Sequence, residues 1–287
     1  MSDICVVHLV RKRNGLEPFE KFLESYLNYK AGIEHSLLII YKGFNGKSDA
    51  SAYEKLLAGI PHTCLFLSDF GFDLRPYFIA ATKCESKYLC YLNSFSVILA
   101  DNWLLKLHTH IKKTGVGLVG ATGSWGSICP GPYTKKKNIP LWKKIVRPLA
   151  WRLARIYFSR YFHNFPNAHI RTNGFMVARE NMIKIKSRLL LFKMDAYFLE
   201  SGKKSITRQI QGLGLSAFVV GKDGIAYDIN DWQVSDTFWT PTQSNLLIAD
   251  NQTRRFDAAD SETRSFLENF AWGRAASILR SNERSGS

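Results

Sequence analysis

The stretch that decides the fold is KYLCYLNSFSVILADNWL, residues 87–104. Its first five positions after the lysine are apolar or aromatic, which is typical of a short strand buried on both faces. A polar turn follows at Asn93 and Ser94, and Asp101 or Asn102 is the expected N-cap of a helix. A buried strand, a turn and a helix in this order indicate one unit of an α/β sheet.

The same alternation extends in both directions along the 287 residues. Apolar runs that favour strands are separated by segments whose apolar residues recur at helical spacing. Strands that alternate with helices form a mostly parallel sheet flanked by helices on both faces, so the expected fold class is α/β and Rossmann-like. We predict strands in 3–10, 34–43, 62–69, 87–93, 116–127, 169–180 and 216–224, and helices in 15–29, 50–60, 73–84, 101–113 and 141–162.

The chain is strongly basic, with 39 Lys and Arg against 24 Asp and Glu. This balance favours anionic partners, which include nucleic acid, phosphorylated ligands and an acidic membrane surface. None of the motifs of the RNA-binding modules is present, so we expect no nucleic-acid partner.

The five cysteines are odd in number, and no pair has the C-x-x-C spacing. We therefore expect neither a disulfide framework nor a zinc site, and a reducing compartment. The opening MSDICVVHLV lacks a basic stretch followed by an apolar run, so we expect no signal peptide. A cytoplasmic location follows as the expectation.

Several segments of the chain resemble, in order, those of GT-A glycosyltransferases, and especially the large inverting family that includes many bacterial polysaccharide enzymes. They are VVHLVRKRNGLEPFEKFLESY (6–26), the stretch from the DFGF turn to the helix entrance (69–104), TNGFMVARE (172–180) and LESGKKSITRQIQGLG (199–214). The resemblance implies a GT-A-like fold that transfers sugar from a nucleotide-sugar donor to a glycan or lipid-linked acceptor. The implied pathway is bacterial surface polysaccharide synthesis, lipopolysaccharide included.

The resemblance also implies a domain organisation. Residues 1–127 would be the nucleotide-sugar-binding half of a GT-A domain, and 166–275 the acceptor-side half of the same domain. A basic, aromatic helical insertion would occupy 128–165, and a disordered tail 276–287.

Two acidic motifs of the family are missing here. At the metal-binding DXD turn the chain has Asn93, Ser94 and Phe95, and the second strand ends in IIYKGF instead of two Asp residues. Hard divalent cations prefer charged oxygen ligands, so we predict no metal ligands and no cofactor. Arg and Lys can neutralise a departing phosphate instead, so the predicted transfer is metal-independent.

The resemblance assigns the catalytic base to Glu200, which aligns with the family's acidic pair. An inverting transfer needs a carboxylate that deprotonates the acceptor hydroxyl. Ser201 stands where the second acid is expected, and Asp195 is the alternative base. Glu200 could equally be a helix-start carboxylate that balances the macrodipole, and a retaining mechanism stays open.

Ligands of open α/β sheets bind at the carboxyl ends of the strands. We therefore predict that the nucleotide is bound by His8, Arg11, Asp69, Asp73, Arg75, Asn93 and Ser94. Basic groups that could hold the diphosphate are His169, Arg171 and Arg208, although an exposed Arg or a structural His is an equally ordinary interpretation. Trp125, Trp232 and Trp239 are candidates for stacking on acceptor sugars or, alternatively, for core packing.

Residues 135–160 mix lysines and arginines with aromatic residues. A cationic amphipathic helix here would lie on an anionic bilayer, as a peripheral contact on the inner face of the membrane, or it would be a solvated basic face. Pro148 is expected to interrupt this helix. Because the acidic motifs are degraded, a catalytically silent GT-A-like module that binds nucleotide or an anionic polymer is the alternative function.

Overall fold

The computed structural model describes residues 2–71, 74–131, 141–187 and 193–273. Within them, strands and helices alternate as the apolar periodicity predicts. The strands are β1 (Ile4–Arg11), β2 (Ser36–Lys42), β3 (Thr63–Leu67), β4 (Tyr88–Leu92), β5 (Val97–Ile98), β6 (Val116–Gly120), β7 (Gly123–Ser124), β8 (His169–Ile170), β9 (Phe175–Ala178), β10 (Ser216–Val220), β11 (Ala226–Tyr227) and β12 (Ile248–Ala249). The helices are α1 (Glu17–Asn28), α2 (Ser51–Leu56), α3 (Leu74–Lys83), α4 (Trp103–Ile111), α5 (Leu141–Tyr161), α6 (Arg179–Lys184), α7 (Lys193–Ser201), α8 (Ile206–Gly212), α9 (Asn251–Asp257) and α10 (Ser261–Trp272).

The centre of the molecule is an eight-stranded sheet in the order β11-β10-β6-β9-β4-β1-β2-β3. Six strands run in one direction, while β9 and β11 run antiparallel to their neighbours. The predicted α/β fold with a mostly parallel sheet is therefore confirmed. Two short antiparallel pairs, β5 with β12 and β7 with β8, lie outside this sheet.

Side chains of each central strand alternate between two apolar layers. Along β1, Val7 and Leu9 belong to one core cluster, and Val6 and Val10 belong to the other. Strands buried on both faces need apolar residues at successive positions, which is why these segments are near-continuous apolar runs. The first layer packs under α3, α8 and α10, and the second packs under α1, α2 and α4.

Two local predictions are wrong. Helix α5 continues through Pro148, which costs a helix one backbone hydrogen bond without ending it here. The segment 169–180 forms two separate strands, β8 and β9, instead of one. Of the two N-cap candidates of α4, Asn102 holds the N-cap position, although its side chain makes no capping hydrogen bond. Asp101 Oδ1 instead accepts from the backbone N–H of Lys30 at 2.8 Å and ties the end of α1 to the start of α4.

The two predicted halves contribute to one sheet. Strands β9 and β10, from the predicted acceptor-side half, pair with β4 and β6 of the predicted nucleotide half. The domain boundaries themselves stay a prediction, and the expected tail 276–287 lies outside the described residues. No helix among the described residues is long and apolar enough to cross a bilayer.

Candidate functional site

The carboxyl ends of the parallel strands form one edge of the sheet, and β9 begins at the same edge. This edge is where open α/β sheets bind ligands, because the loops there leave a crevice between the strand ends and the helices. It has two parts. We call the part at the ends of β1, β2, β3 and β4 the donor-side edge, and the cavity beside β8, α7 and α9 the acceptor-side cleft.

Three charged side chains lie close together at the donor-side edge: the predicted residues Arg11 and Asp69, and the neighbouring Lys42. Arg11, at the end of β1, makes a two-point ion pair with Asp69 after β3, with Nε–Oδ1 at 2.7 Å and Nη2–Oδ2 at 3.1 Å. Lys42, at the end of β2, is fully buried, lies 3.9 Å from Asp69 Oδ1 and donates to the carbonyl of Gly71. The hydrogen bond from Arg11 holds the pKa of Asp69 below its usual value. Asp69 thus places a carboxylate near the end of β2, where members of the resembling family have two Asp residues that this chain lacks. Both oxygens of the carboxylate bind Arg11.

His8 lies near the end of β1, beneath α1. Its ring is fully buried and stacks on Phe22 with centroids 3.6 Å apart. Burial lowers the pKa of His8 to about 3, so the ring is neutral at ordinary pH. Among the described residues neither ring nitrogen has a hydrogen-bond partner, and the ring faces a narrow crevice shared with Arg11 and Ser94. Buried polar groups are normally paired, so His8 is an exception among the described residues.

The turn after β4 is held by its own polar atoms. Asn93 Oδ1 accepts from the N–H of Phe95 at 2.8 Å, and the Asn93 N–H donates to Asn173 Oδ1 at 3.0 Å. Ser96 donates to the same Asn173 oxygen at 2.6 Å. Arg254 of α9 donates to the carbonyl of Phe95 at 3.1 Å, so a guanidinium lies against this turn.

The acceptor-side cleft is a cavity of about 820 Å³. Its walls come from the β7 loop, β8, the end of α7, the loop before β12 and helix α9. Residues of four kinds line it: the carboxylate Glu200, the basic groups His169, Arg171 and Arg255, the aromatics Tyr197, Phe238, Trp239 and Phe270, and small or polar residues that include Ser124, Ser127, Cys129, Ser201 and Gln252.

Glu200 lies in the last turn of α7, half-buried against β8. Thr172 orients it, because the backbone N–H and the hydroxyl of Thr172 both reach Glu200 Oε1, at 3.4 and 3.3 Å. The interpretation of Glu200 as a helix-start carboxylate is wrong: the C-terminal end of a helix is where the macrodipole disfavours a negative charge. Helix stability therefore does not explain a carboxylate at this position.

His169 faces Glu200 across the cleft wall. The ring is buried, its Nδ1 bonds the carbonyl of Asn167 at 2.8 Å, and burial lowers its pKa although the charge of Glu200 opposes that shift. A carbonyl partner requires a proton on Nδ1, which leaves Nε2 as an acceptor. A neutral His169 supplies no positive charge to a diphosphate, contrary to its predicted role as a cation.

Arg171 enters the same cleft from the loop between β8 and β9. Its Nη2 bonds Asp250 Oδ2 at 2.8 Å, and its guanidinium lies 4.2 Å from the ring centre of Phe238. Asp250 is 1% exposed, and its other oxygen caps α9 by accepting from the N–H groups of Gln252 and Thr253. One buried carboxylate thus fixes both Arg171 and the helix that carries Arg254 and Arg255.

The three predicted acceptor tryptophans lie in different environments. Trp239 lines the cleft, where it stacks on Phe238 at 4.6 Å and donates from Nε1 to the carbonyl of Gln252 at 3.1 Å. Trp232 is fully buried and bonds the Tyr227 carbonyl, and Trp125 packs edge-on against Trp272 and bonds the Ile229 carbonyl. For Trp125 and Trp232 the core-packing interpretation describes the contacts, and neither lines the cleft.

Other predicted residues are not brought into the cleft. Asp195 lines a separate cavity of about 380 Å³, beside Arg160, Lys186, Lys203 and Lys204. Arg208 of α8 donates to Gln211 at 3.4 Å, and Arg75 lies 5.5 Å from the ring centre of Phe70. Asp73 lies outside the described residues.

Helix α9 supplies two arginines that the sequence does not single out, Arg254 and Arg255, whereas Asp250 and Gln252 belong to the polar segment 231–256, a candidate lining of an acceptor groove. Gln252 and Arg255 line the cleft, Arg254 reaches the turn after β4, and Asp250 holds Arg171. The segment QTRRF, residues 252–256, was the available signal, since it loosely resembles the Gln-x-x-Arg-Trp motif of processive family members, but the likeness was too loose to assign roles.

No protein-family model matches the sequence, and no curated protein matches it. Among solved structures, the mannosyltransferase PcManGT of Pyrobaculum calidifontis, in complex with GDP-Man and Mn²⁺, aligns with a TM-score of 0.49 and 9% identity over 82% of this chain. Residues 1–349 of TarS from S. aureus, in complex with UDP-GlcNAc, align with a TM-score of 0.32 and 15% identity over 47% of this chain and 37% of that one. The aligned part covers 59% of the length of PcManGT. The function proposed below therefore rests on the residues of the two parts of the edge.

Proposed function

We propose that the chain is an inverting glycosyltransferase that uses a nucleotide-sugar donor and a glycan or lipid-linked acceptor, as in bacterial surface polysaccharide synthesis. The observation that carries this proposal is a half-buried carboxylate, Glu200, held by Thr172 in a cleft of about 820 Å³ at the ligand-binding edge of the sheet. Glu200 is the group that accepts the proton of the attacking hydroxyl. His169 beside it is neutral, so it adds no positive charge to the cleft.

In this proposal, positively charged side chains stabilise the leaving diphosphate in place of a metal ion. As the nucleotide leaves, its diphosphate gains negative charge, which a preorganised guanidinium can stabilise. Arg171 and Arg255 line the cleft, and Arg254 lies against the turn where the family has its metal ligands. Since Arg171 is already paired with Asp250, Arg255 carries the larger share of this role.

The nucleotide enters at the donor-side edge. His8 and Ser94 face the crevice there, and the unpaired nitrogens of His8 offer a donor and an acceptor for a base or a ribose hydroxyl. The crevice is narrow, so nucleotide binding requires the loop after β1 to move. Opening the Arg11–Asp69 pair would release both a cation and a carboxylate to the ligand.

The test is transfer and donor hydrolysis measured with a panel of UDP-, GDP-, dTDP- and CMP-sugars, with and without EDTA. We expect turnover with one donor class that survives chelation. Loss of turnover on chelation, restored by Mn²⁺ or Mg²⁺, would disprove the metal-independent mechanism while leaving sugar transfer intact.

One observation favours the alternative of a catalytically silent binding module. Asn93 Oδ1, the Asn93 N–H and the Ser96 hydroxyl bond within the turn after β4 or to Asn173, so these three groups are committed within the protein. Thermal shift with the same donor panel separates the two functions. Stabilisation by a donor without turnover, in the presence of an acceptor extract, would favour the silent module.

Helix α5 supports a peripheral membrane contact. The apolar residues Val146, Leu149, Leu153 and Ile156 follow one another at helical spacing and are 51–68% exposed. Basic residues Arg147, Arg152, Arg155 and Arg160 accompany them on the same helix. An exposed apolar stripe with flanking cations matches the chemistry of an anionic bilayer surface, and this helix would hold the cleft near a lipid-linked acceptor.

Cosedimentation with vesicles tests this contact. We expect binding to phosphatidylglycerol vesicles and weaker binding to phosphatidylcholine vesicles, and loss of both in the double variant Leu149→Glu, Leu153→Glu. The matched control is Leu213→Glu, an exposed leucine on another element. Equal binding by both variants would contradict the assignment of α5.

A further inference from the structure

A cluster of metal-binding side chains lies away from the cleft. Glu54 is on α2, His62 precedes the edge strand β3, and Cys64 lies at the amino end of that strand. Their ligand atoms all lie within 4.8 Å of one another. The proposed transfer reaction uses none of these three residues.

The distances fit a tetrahedral ion. His62 Nε2 is 3.5 Å from Glu54 Oε2, and Cys64 Sγ is 3.5 Å from Glu54 Oε1. Zinc binds sulfur at about 2.3 Å and nitrogen or oxygen at about 2.0 Å, so neighbouring ligands of a tetrahedral site are about 3.3–3.5 Å apart. The imidazole and the thiol are thus each at this separation from one oxygen of the Glu54 carboxylate, and all three ligand atoms lie within 4.8 Å of one another.

The charges and the surroundings also fit. A thiolate and a carboxylate together neutralise a divalent ion, and a neutral imidazole adds a third donor. Tyr41 donates its hydroxyl to Glu54 Oε1 at 2.6 Å, which orients the carboxylate as a supporting residue of a metal site does. The side chains of His62 and Glu54 are 15% and 28% exposed, so an ion can enter from solution.

We propose that Glu54, His62 and Cys64 bind a divalent transition-metal ion of the zinc type, with water as the fourth ligand. This proposal departs from the expectation from cysteine spacing, which considered pairs of cysteines and not a set with one cysteine. The ion would clamp the six-residue helix α2 to β3, the strand at the edge of the sheet. This candidate site is separate from the turn after β4, where the family has its metal ligands. It lies at the amino end of β3, whereas that turn follows the carboxyl end of β4.

The experiment uses the purified full chain, stripped of metal, and Co²⁺ as a spectroscopic probe. A thiolate ligand gives Co²⁺ an intense near-ultraviolet charge-transfer band, and tetrahedral geometry gives strong visible bands. We expect both bands to saturate at one Co²⁺ per chain and to disappear when Zn²⁺ is added. At Zn²⁺ about 100-fold above the dissociation constant, we expect the melting temperature to rise by about 5 °C.

Variants identify the ligands. Cys64→Ser should lose the charge-transfer band, and His62→Gln should lose the visible bands of the tetrahedral complex, whereas the control Cys84→Ser should keep both. Tyr41→Phe should weaken Co²⁺ binding about tenfold without changing the spectrum, because it removes only the support of Glu54. The proposal is overturned if the wild-type chain shows no charge-transfer band, or if Cys64→Ser shows an unchanged one; circular dichroism of each variant excludes a loss that is due to unfolding.

Discussion

The two parts of the ligand-binding edge handle their charges differently. At the donor-side edge, Arg11 and Asp69 neutralise each other and His8 is buried against Phe22, so little open space remains. In the acceptor-side cleft, Glu200 and Arg255 face a cavity of about 820 Å³, and Arg171, held by the buried Asp250, lies in its wall.

This difference indicates that the two parts of the edge have different roles. The cleft is preorganised, because Thr172 and Asp250 already hold the groups that would act on a substrate. At the donor-side edge the charged groups already bind one another, so a ligand has to replace the Arg11–Asp69 contact. Chemistry is therefore expected to depend most on the cleft, and binding of the nucleotide most on the cost of opening the other part.

The largest expected effect is on turnover in Glu200→Gln. The amide keeps the size of the side chain but cannot accept the acceptor proton, so we expect the turnover number to fall about a hundredfold to ten-thousandfold. Donor affinity should stay within about twofold of the wild-type value, since the nucleotide binds at the other part of the edge. The measurement is single-turnover transfer together with calorimetric donor binding.

The matched control is Asp195→Asn, which changes a carboxylate on the same helix that lines the smaller cavity. We expect near wild-type turnover from it. A large loss in Asp195→Asn with little change in Glu200→Gln would transfer the role of base to Asp195 and reverse the assignment of the two cavities.

Breaking the buried ion pair should have the next largest effect, on stability. Asp250→Asn leaves Arg171 without its carboxylate at a site where Asp250 is 1% exposed, so we expect the free energy of unfolding to fall by about 3 kcal/mol. At the donor-side edge, Asp69→Asn removes a carboxylate that is 34% exposed but also lies 3.9 Å from the buried Lys42, so we expect a smaller loss of about 1–2 kcal/mol. Urea denaturation at pH 7 measures both.

Equal losses in the two variants would contradict the view that one ion pair is structural and the other is poised to open. Asp250→Asn should also lower donor-dependent turnover, because Arg171 and α9 lose their common support. Asp260→Ala, at the N-cap of α10 and away from both parts, is a stability control for removal of a capping contact.

His8 gives the donor-side edge a pH dependence of known sign. Its pKa is about 3 in the folded chain and about 6.5 when unfolded, so between these values the unfolded state binds the extra proton. Stability should therefore fall as the pH falls below about 6, by about 1.4 kcal/mol per pH unit for this one group. His8→Phe keeps a ring that can stack on Phe22 and should lack this component.

The quantity to measure is the difference in unfolding free energy between wild type and His8→Phe at several pH values from 7 to 4.5. Contributions of the other histidines cancel in this difference. A constant difference across the range would show that His8 does not change its proton affinity on folding, and that its environment is wetter than the buried ring indicates.

Sequence patterns predicted the sheet and its helices because buried parallel strands require apolar runs, and KYLCYLN and SLLIIYK carry them. The family resemblance named Glu200 as the candidate base, and Arg171 was a separate candidate for the diphosphate. The patterns could not predict which cations pair with which carboxylates, since Arg171 and Asp250 are 79 positions apart along the chain and Arg11 and Asp69 are 58 apart.

The same limit explains the tryptophans and the metal-binding cluster. An indole on a loop has the same sequence appearance whether it lines a cleft or packs in the core, and the contacts of Trp125 and Trp239 differ only through the fold. Glu54 lies on α2, whereas His62 and Cys64 flank the first residue of β3 and so have one residue between them, and the C-x-x-C and H-x₃₋₅-H spacing rules for zinc do not describe this combination. In each case the sequence pattern does not show which residues contact one another in the folded chain.

The smallest expected effect distinguishes the two tryptophans. Trp239→Phe keeps a ring stacked on Phe238 but loses the hydrogen bond to the Gln252 carbonyl and part of the surface that lines the cleft, so we expect the KM for the acceptor to rise about threefold to tenfold and the melting temperature to fall. Trp125→Phe should also lower the melting temperature but leave the KM unchanged, because its indole packs on Trp272 and does not line the cleft. Steady-state kinetics and thermal unfolding of both variants give the four values. A rise in KM for Trp125→Phe that matches the rise for Trp239→Phe would mean that the acceptor reaches beyond the cleft to the face of Trp125.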